Sequence, residues 1–266
     1  MALLRNLHNI LEAQVSHVYV AKVAYRLADA REIAKSKQLP FRFLSAYREV
    51  KGLVSPHVPA ILTALEEAVT ASAAHIRGFD AETNVLIACD VSGSMQRSVS
   101  PKSTVQNFDI SLMLGTLLQS RSKSVVTGLF GDTWKVINLP QQNVLANVIE
   151  LHRREGEVGY ATNGYLVIKD LIDRKVVMDK VMIFTDCQLW NNKGSGEPTS
   201  VLWAQYKRMA PNARLYLFDL AGYGQTPVRI EGDVSFIAGW SDKVFDVLAA
   251  IENGGSALAE IQRITL

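Results

Sequence analysis

The chain has 266 residues, 48% hydrophobic and 20% charged, with a formal net charge of +2. That composition is ordinary for a globular protein with a sizeable core, and so even a charge does not demand a nucleic-acid partner. Two cysteines, Cys89 and Cys187, exclude a disulfide framework beyond one bridge and have no zinc-ligand spacing, so they read as small buried hydrophobes of a reducing compartment.

The N-terminal stretch MALLRNLHNILEAQ carries Arg5 and Glu12 inside its apolar pattern and is not a signal peptide. No apolar run approaches the roughly 20 residues of a membrane span, so the expectation is a cytoplasmic protein without membrane contact. Residues 1–77 show helical periodicity. Leu3, Leu4, Leu7, Ile10 and Leu11 form one apolar face, and Val18, Ala21, Tyr25 and Ala28 form a second. Pro40 opens a third helix, FRFLSAYREV, and Ser55-Pro56 opens a fourth, near 56–76, that stops at Gly78. An α-helical hairpin array is expected.

From Asn84 the texture changes. NVLIACD is a continuous apolar run of strand length, as in a strand buried on both faces. A helix from about Ser103 to Ser120 follows, then the strand SVVTGLF (124–130). Gly131-Asp132 turns that strand into WKVINL (134–139), an antiparallel edge partner. Helices near 142–154 and 163–174 lead to a second apolar strand, KVMIFTD (180–186). After a polar loop (191–199) come a helix (199–209), the strands ARLYLFDL (213–220) and VSFIAG (234–239), and a helix near 241–253. Alternating strands and helices predict an α/β fold with a doubly wound, mainly parallel sheet.

In such sheets ligands bind beyond the carboxyl ends of the central strands. Two apolar strands end there in aspartate, Asp90 and Asp186. Asp90 opens D-V-S-G-S, which adds Ser92 and Ser94, with Gly93 permitting a sharp turn between them. Thr162 lies in GYATNG, a loop before a helix. If the two strands are neighbours, five side-chain oxygens converge. Carboxylates and hydroxyls without nitrogen or sulfur suit a hard cation, Mg²⁺ or Mn²⁺, and such a shell leaves room for an acidic group from outside. D-x-S-x-S alone also occurs in helix caps. The strand ends, the pre-helix threonine and Thr185-Asp186 together form the pattern of the metal-ion-dependent adhesion site, and residues 84–253 resemble the von Willebrand factor A domain.

The N-terminal part narrows the resemblance. MALLRNLHNIL, LPFRFLSAYREV, DVSGSM and DLAGYGQTPVRIEGDVSFIAGWSDKVFDVL occur in an order similar to that of Ro autoantigen proteins of the bacterial type. Those proteins combine a ring of helical TROVE repeats with a von Willebrand A domain. The resemblance implies a helical segment at 1–79, the end of a TROVE module, and an A domain at 80–266. It also implies a role in binding small non-coding RNA and in RNA quality control, and assigns Asp90, Ser92, Ser94, Thr162 and Asp186 to the metal. Family members have a longer helical region, so the chain is expected to be a fragment or a shortened relative, with RNA held mainly by helical regions it lacks. Lys35, Lys37, Arg42 and Arg48 belong to a basic stretch in residues 1–51 and are candidate phosphate contacts, whereas Phe43 and Tyr47 read as core.

The expected function is therefore binding rather than catalysis, since no histidine, lysine or cysteine is placed as a nucleophile's partner. Two alternatives stay open at this point: an A-domain partner of an ATPase or chelatase complex, and a metal-dependent phosphoesterase.

Overall fold

Strand β1 (Asn84–Asp90) is apolar from Val85 to Cys89 and lies at the centre of a six-stranded sheet. The others are β2 (Ser124–Phe130), β3 (Trp134–Val136), β4 (Lys180–Thr185), β5 (Arg214–Asp219) and β6 (Val234–Ala238), in spatial order β3-β2-β1-β4-β5-β6. Neighbours are parallel except β2 and β3. Side chains alternate between faces, so Val85, Ile87 and Cys89 enter one core while Leu86 and Ala88 enter the other. The computed structural model describes residues 2–36, 40–72, 83–100, 103–122, 124–187, 198–223, 226–230, 232–239 and 244–252.

One face of the sheet is covered by α9 (Tyr165–Asp173) and α10 (Thr199–Met209), through Val167, Ile168, Leu171, Leu202 and Trp203. The other carries α7 (Asn107–Arg121), α8 (Val144–Arg153) and α11 (Val244–Glu252). Every residue of α7 from Asn107 to Gln119 is buried. A helix buried nearly all round needs cover on both sides. The sheet supplies one cover and the N-terminal helices the other.

Those helices are α1 (Ala2–Arg5), α2 (Leu7–Glu12), α3 (His17–Ala28), α4 (Ala30–Ser36), α5 (Pro40–Lys51) and α6 (Val58–Ser72). They share a continuous buried cluster with the A domain, in which Leu44, Val50, Leu65 and Val69 join Phe108, Leu112, Val148 and Leu151. Two polar clamps close the seam. Arg48 forks onto the buried Asp109, with Nη1 donating to Oδ2 at 2.9 Å. Glu66 accepts the backbone N–H groups of Leu145 and Ala146 at 3.0 and 2.8 Å. Asn143, at the cap position of α8, has φ 64° and makes no side-chain cap bond. Glu66, arriving from another helix, takes over the orphan donors of that helix end.

Several expectations are corrected. The first predicted helix is two, broken at Asn6, and α4 lies where no helix was expected. The helix expected from Ser103 begins at Asn107, because Gln106 and Asp109 form a reciprocal capping box there. The edge strand shrinks to Trp134–Val136, with Ile137 adding one bond to the Thr127 carbonyl at 2.8 Å before Pro140. Gly78 and most of the polar loop at 191–199 lie outside the described residues.

Candidate metal centre

The chain runs β1, β2, β3 toward one edge and β4, β5, β6 toward the other, so β1 and β4 are neighbours whose following loops diverge. That is the switch point at which doubly wound sheets open a crevice. Cys89 pairs with Phe184, which sets Asp90 level with Thr185 and Asp186 one residue beyond; Thr185 pairs in turn with Asp219.

Asp90 is fully buried. Its Oδ2 accepts the Thr185 hydroxyl at 2.6 Å and its Oδ1 accepts the Ser92 backbone N–H at 2.8 Å. Ser92 and Ser94 bring their hydroxyls within 3.2 Å of each other. The loop carrying Thr162 is stitched to this turn. Gly93 N–H donates to the Tyr160 carbonyl at 3.3 Å, and Asn163 N–H donates to the Gly131 carbonyl at 3.2 Å. Gly159 and Gly131 make that docking possible. Gly159 has φ +73°, and a Cβ on it would fall 1.8 Å from Asp132 Oδ2. A Cβ on Gly131 would fall 2.1 Å from the Gly159 carbonyl oxygen. Thr162 and Asp186 are themselves buried.

Burial, with a smaller push from Asp186, outweighs the hydrogen bonds from Thr185 and Ser92 and raises the Asp90 carboxyl to about 7. Two buried carboxylates on adjacent strand ends are costly without a cation. The donors around them, carboxylates and hydroxyls, are those that Mg²⁺ or Mn²⁺ takes, so the residues present fit such an ion. Among the described residues no three His, Cys, Asp or Glu side chains form a ready ligand set, so an ion here depends on the hydroxyls.

Sequence reasoning missed Asp219. It ends β5, is fully buried, and accepts the N–H groups of Ala221 and Gly222 at 3.2 and 2.9 Å. Its signal was available, a third apolar strand ending in aspartate. Burial, then Asp219, Asp186 and Asp90, push the Cys187 thiol up; burial lifts Cys89 to about 12. Both cysteines are buried and free, as read from the sequence.

The basic residues fare differently. Lys35 is 75% exposed and 3.6 Å from Glu32; Arg42 is exposed and lies over the Phe41 ring. Arg48 is forked onto Asp109 with its side chain 28% exposed, and Lys37 lies outside the described residues. Phe43 and Tyr47 are core.

The sheet order, the single antiparallel edge and the aspartates at the switch point define a von Willebrand factor A fold, preceded by packed helices. Residues 1–83 match the TROVE domain family. Among solved structures, the chain is similar to the Ro (RSR) protein of Deinococcus radiodurans, with a TM-score of 0.66 and 20% identity over 96% of this chain and 53% of that one. The chain thus spans about half the length of that solved relative. It matches no curated protein. The two matches bear out the resemblance to bacterial Ro-family proteins. No helix among the described residues is long and apolar enough to cross a membrane.

Proposed function

We propose that the chain is a divalent-metal-dependent binding module of a Ro-type ribonucleoprotein. Asp90, Ser92, Ser94, Thr162 and Asp186 would hold Mg²⁺ or Mn²⁺, directly or through water, and an acidic group of a protein or other ligand would complete the shell. The observation that carries this reading is the pair of fully buried aspartates, Asp90 and Asp186, at the ends of adjacent strands at the switch point. When bound, the ion supplies positive charge to an incoming oxyanion. The chain's own residues position it: Thr185 fixes one Asp90 oxygen, and the Gly93–Tyr160 bond holds the serine turn against the Thr162 loop.

Binding rather than catalysis is supported by the thiols beside the site, which are buried and held protonated, the wrong state for a nucleophile. The TROVE match over residues 1–83 favours a Ro-type role in non-coding RNA binding and quality control over partnership with an ATPase. Lys35 and Arg42 are the exposed candidates for phosphate contact, and such contacts would be salt-sensitive and sequence-blind. The test is thermal unfolding of the chelator-stripped protein. Saturating Mg²⁺ should raise the midpoint, and the rise should vanish in Asp186→Ala. An unchanged midpoint in the parent would overturn the metal reading.

A further inference from the structure

Helix α3 is only half covered. It buries Val20 and Leu27 but exposes Val18, Tyr19 and Tyr25, at 63%, 63% and 76%. Val18, Lys22 and Tyr25 follow the i, i+4, i+7 spacing, and Tyr19, Lys22 and Arg26 the i, i+3, i+7 spacing, so apolar side chains and cations share one exposed face. Beside that face, helices α1 to α5 enclose a groove of about 740 Å³. Its floor is aliphatic and aromatic, with Leu4, Val23, Leu27, Ile33 and Phe43, and its size is that of a ligand site.

The charged side chains lining the groove are Lys22, Arg26, Lys35 and Glu32. Glu32 is shared, 3.8 Å from Arg26 and 3.6 Å from Lys35. Lys22 lies over the Tyr19 ring, 5.6 Å from its centroid. One carboxylate among three cations leaves the rim positive. On the far flank of α3, Asp29 adds a negative charge, but its Oδ1 accepts the N–H groups of Arg31 and Glu32 at the start of α4. An occupant must therefore offer apolar side chains to the floor and negative charge to the rim. An amphipathic helix with carboxylates flanking its apolar row offers both. Helix α3 has 12 residues and is about 18 Å long, enough to lie along three turns of a partner helix. RNA suits the groove less, because an aliphatic floor gives bases no stacking face and Glu32 repels phosphate. A second copy also suits it less. A two-fold contact centred on α3 would set Lys22, at the middle of that helix, against its own copy.

We propose that this groove docks an acidic amphipathic helix of another protein, its apolar row seated against Val23, Ile33 and Phe43 and its carboxylates meeting Lys22 and Arg26. Burial in the groove supplies the affinity. The exposed cations supply orientation and a salt-dependent association rate. The groove is built from α1 to α5 and shares no residue with the metal site, so docking needs no Mg²⁺ and stands apart from the metal reading.

The experiment uses the full chain in chelator and reads fluorescence anisotropy. The probe is a labelled synthetic peptide of about 18 residues, long enough to form a helix, with leucines at i, i+3, i+4 and i+7 and glutamates on both flanks. Its control carries lysines in place of the glutamates. The parent should bind the glutamate peptide saturably and at least about tenfold more tightly than the lysine peptide. Tyr19→Ala and Tyr25→Ala, both at exposed positions, should each weaken binding about fivefold. Lys22→Glu combined with Arg26→Glu should reverse the preference between the two peptides. Asp90→Ala should bind as the parent does. No binding of the glutamate peptide, equal affinity for the two peptides, or full affinity in both tyrosine variants would overturn the proposal. Displacement of the peptide by single-stranded oligouridine, with RNA binding lost in the same variants, would assign the groove to RNA instead. A dimer seen in sedimentation and abolished by Tyr25→Glu would assign it to a second copy.

Discussion

Arg48 and Asp109 form a forked ion pair across the seam between the helical layer and the A domain, 61 residues apart in sequence. Asp109 is 1% exposed and Arg48 28%, so the carboxylate depends on its partners for solvation. His152 Nδ1 approaches the same carboxylate at 3.3 Å. Removing Arg48 would strand a buried charge. Arg48→Ala is expected to cost about 2 kcal/mol, below the usual loss for a fully buried pair because water reaches the arginine side. The urea midpoint measures it, and an unchanged midpoint would show that water replaces the guanidinium.

The same carboxylate predicts an acid-labile seam. Burial raises its pKa, but His152, Arg48 and the Gln106 N–H outweigh that and hold it at about 2. A folded value below the ordinary 3.8 gives stability that is fully present above about pH 4 and lost as pH falls toward 2. The contribution is about 2 kcal/mol. Stability measured across that window should drop by this amount more in the parent than in Asp109→Asn.

Glu66 predicts a second seam effect. Glu66→Ala leaves the Leu145 and Ala146 N–H groups without their acceptor and should cost about 1 kcal/mol. Hydrogen exchange at those two amides should accelerate more than exchange in the centre of α8. Uniform acceleration along the helix would contradict a local cap.

At the proposed metal site, stability and binding should oppose each other. Asp186→Asn removes a charge that raises the Asp90 carboxyl, so the metal-free variant is expected to be about 1 kcal/mol more stable than the parent. Its Mg²⁺ affinity should fall at least tenfold. A variant less stable without metal would mean that Asp186 holds structure rather than an ion.

Gly159→Ala should act at a distance. The new methyl group meets Asp132 at a positive φ, which costs more than about 2 kcal/mol or moves the loop that carries Thr162. Weaker Mg²⁺ binding with an otherwise intact fold is the expected result, checked by titration and circular dichroism.

How much of this was legible follows from the physics of each signal. Strands β1 and β4 are buried on both faces, so they read as unbroken apolar runs, and aspartates closing such runs mark the crevice. Asp219 closes a third, but without a hydroxyl motif beside it nothing singled it out. Helix α4 was illegible because its seven residues bury one side chain, Ile33, too few for a period. The expected start of α7 at Ser103 gave way to a capping box that uses glutamine, a weaker signal than serine. Arg48 read as a candidate phosphate contact because its partner, Asp109, lies in another element; non-local ion pairs leave no local trace. Glu66, 79 residues from the first amide that it caps, was hidden for the same reason.

The most direct test of the central claim is calorimetric titration of Mg²⁺ and Mn²⁺ into the chelator-stripped full chain, with Asp90→Ala alongside. Saturable binding of one ion per chain by the parent and none by the variant, both folded, is the expected result. No heat of binding from either ion in the parent, or equal binding by Asp90→Ala, would contradict it and leave the five oxygens as loop hydrogen bonds.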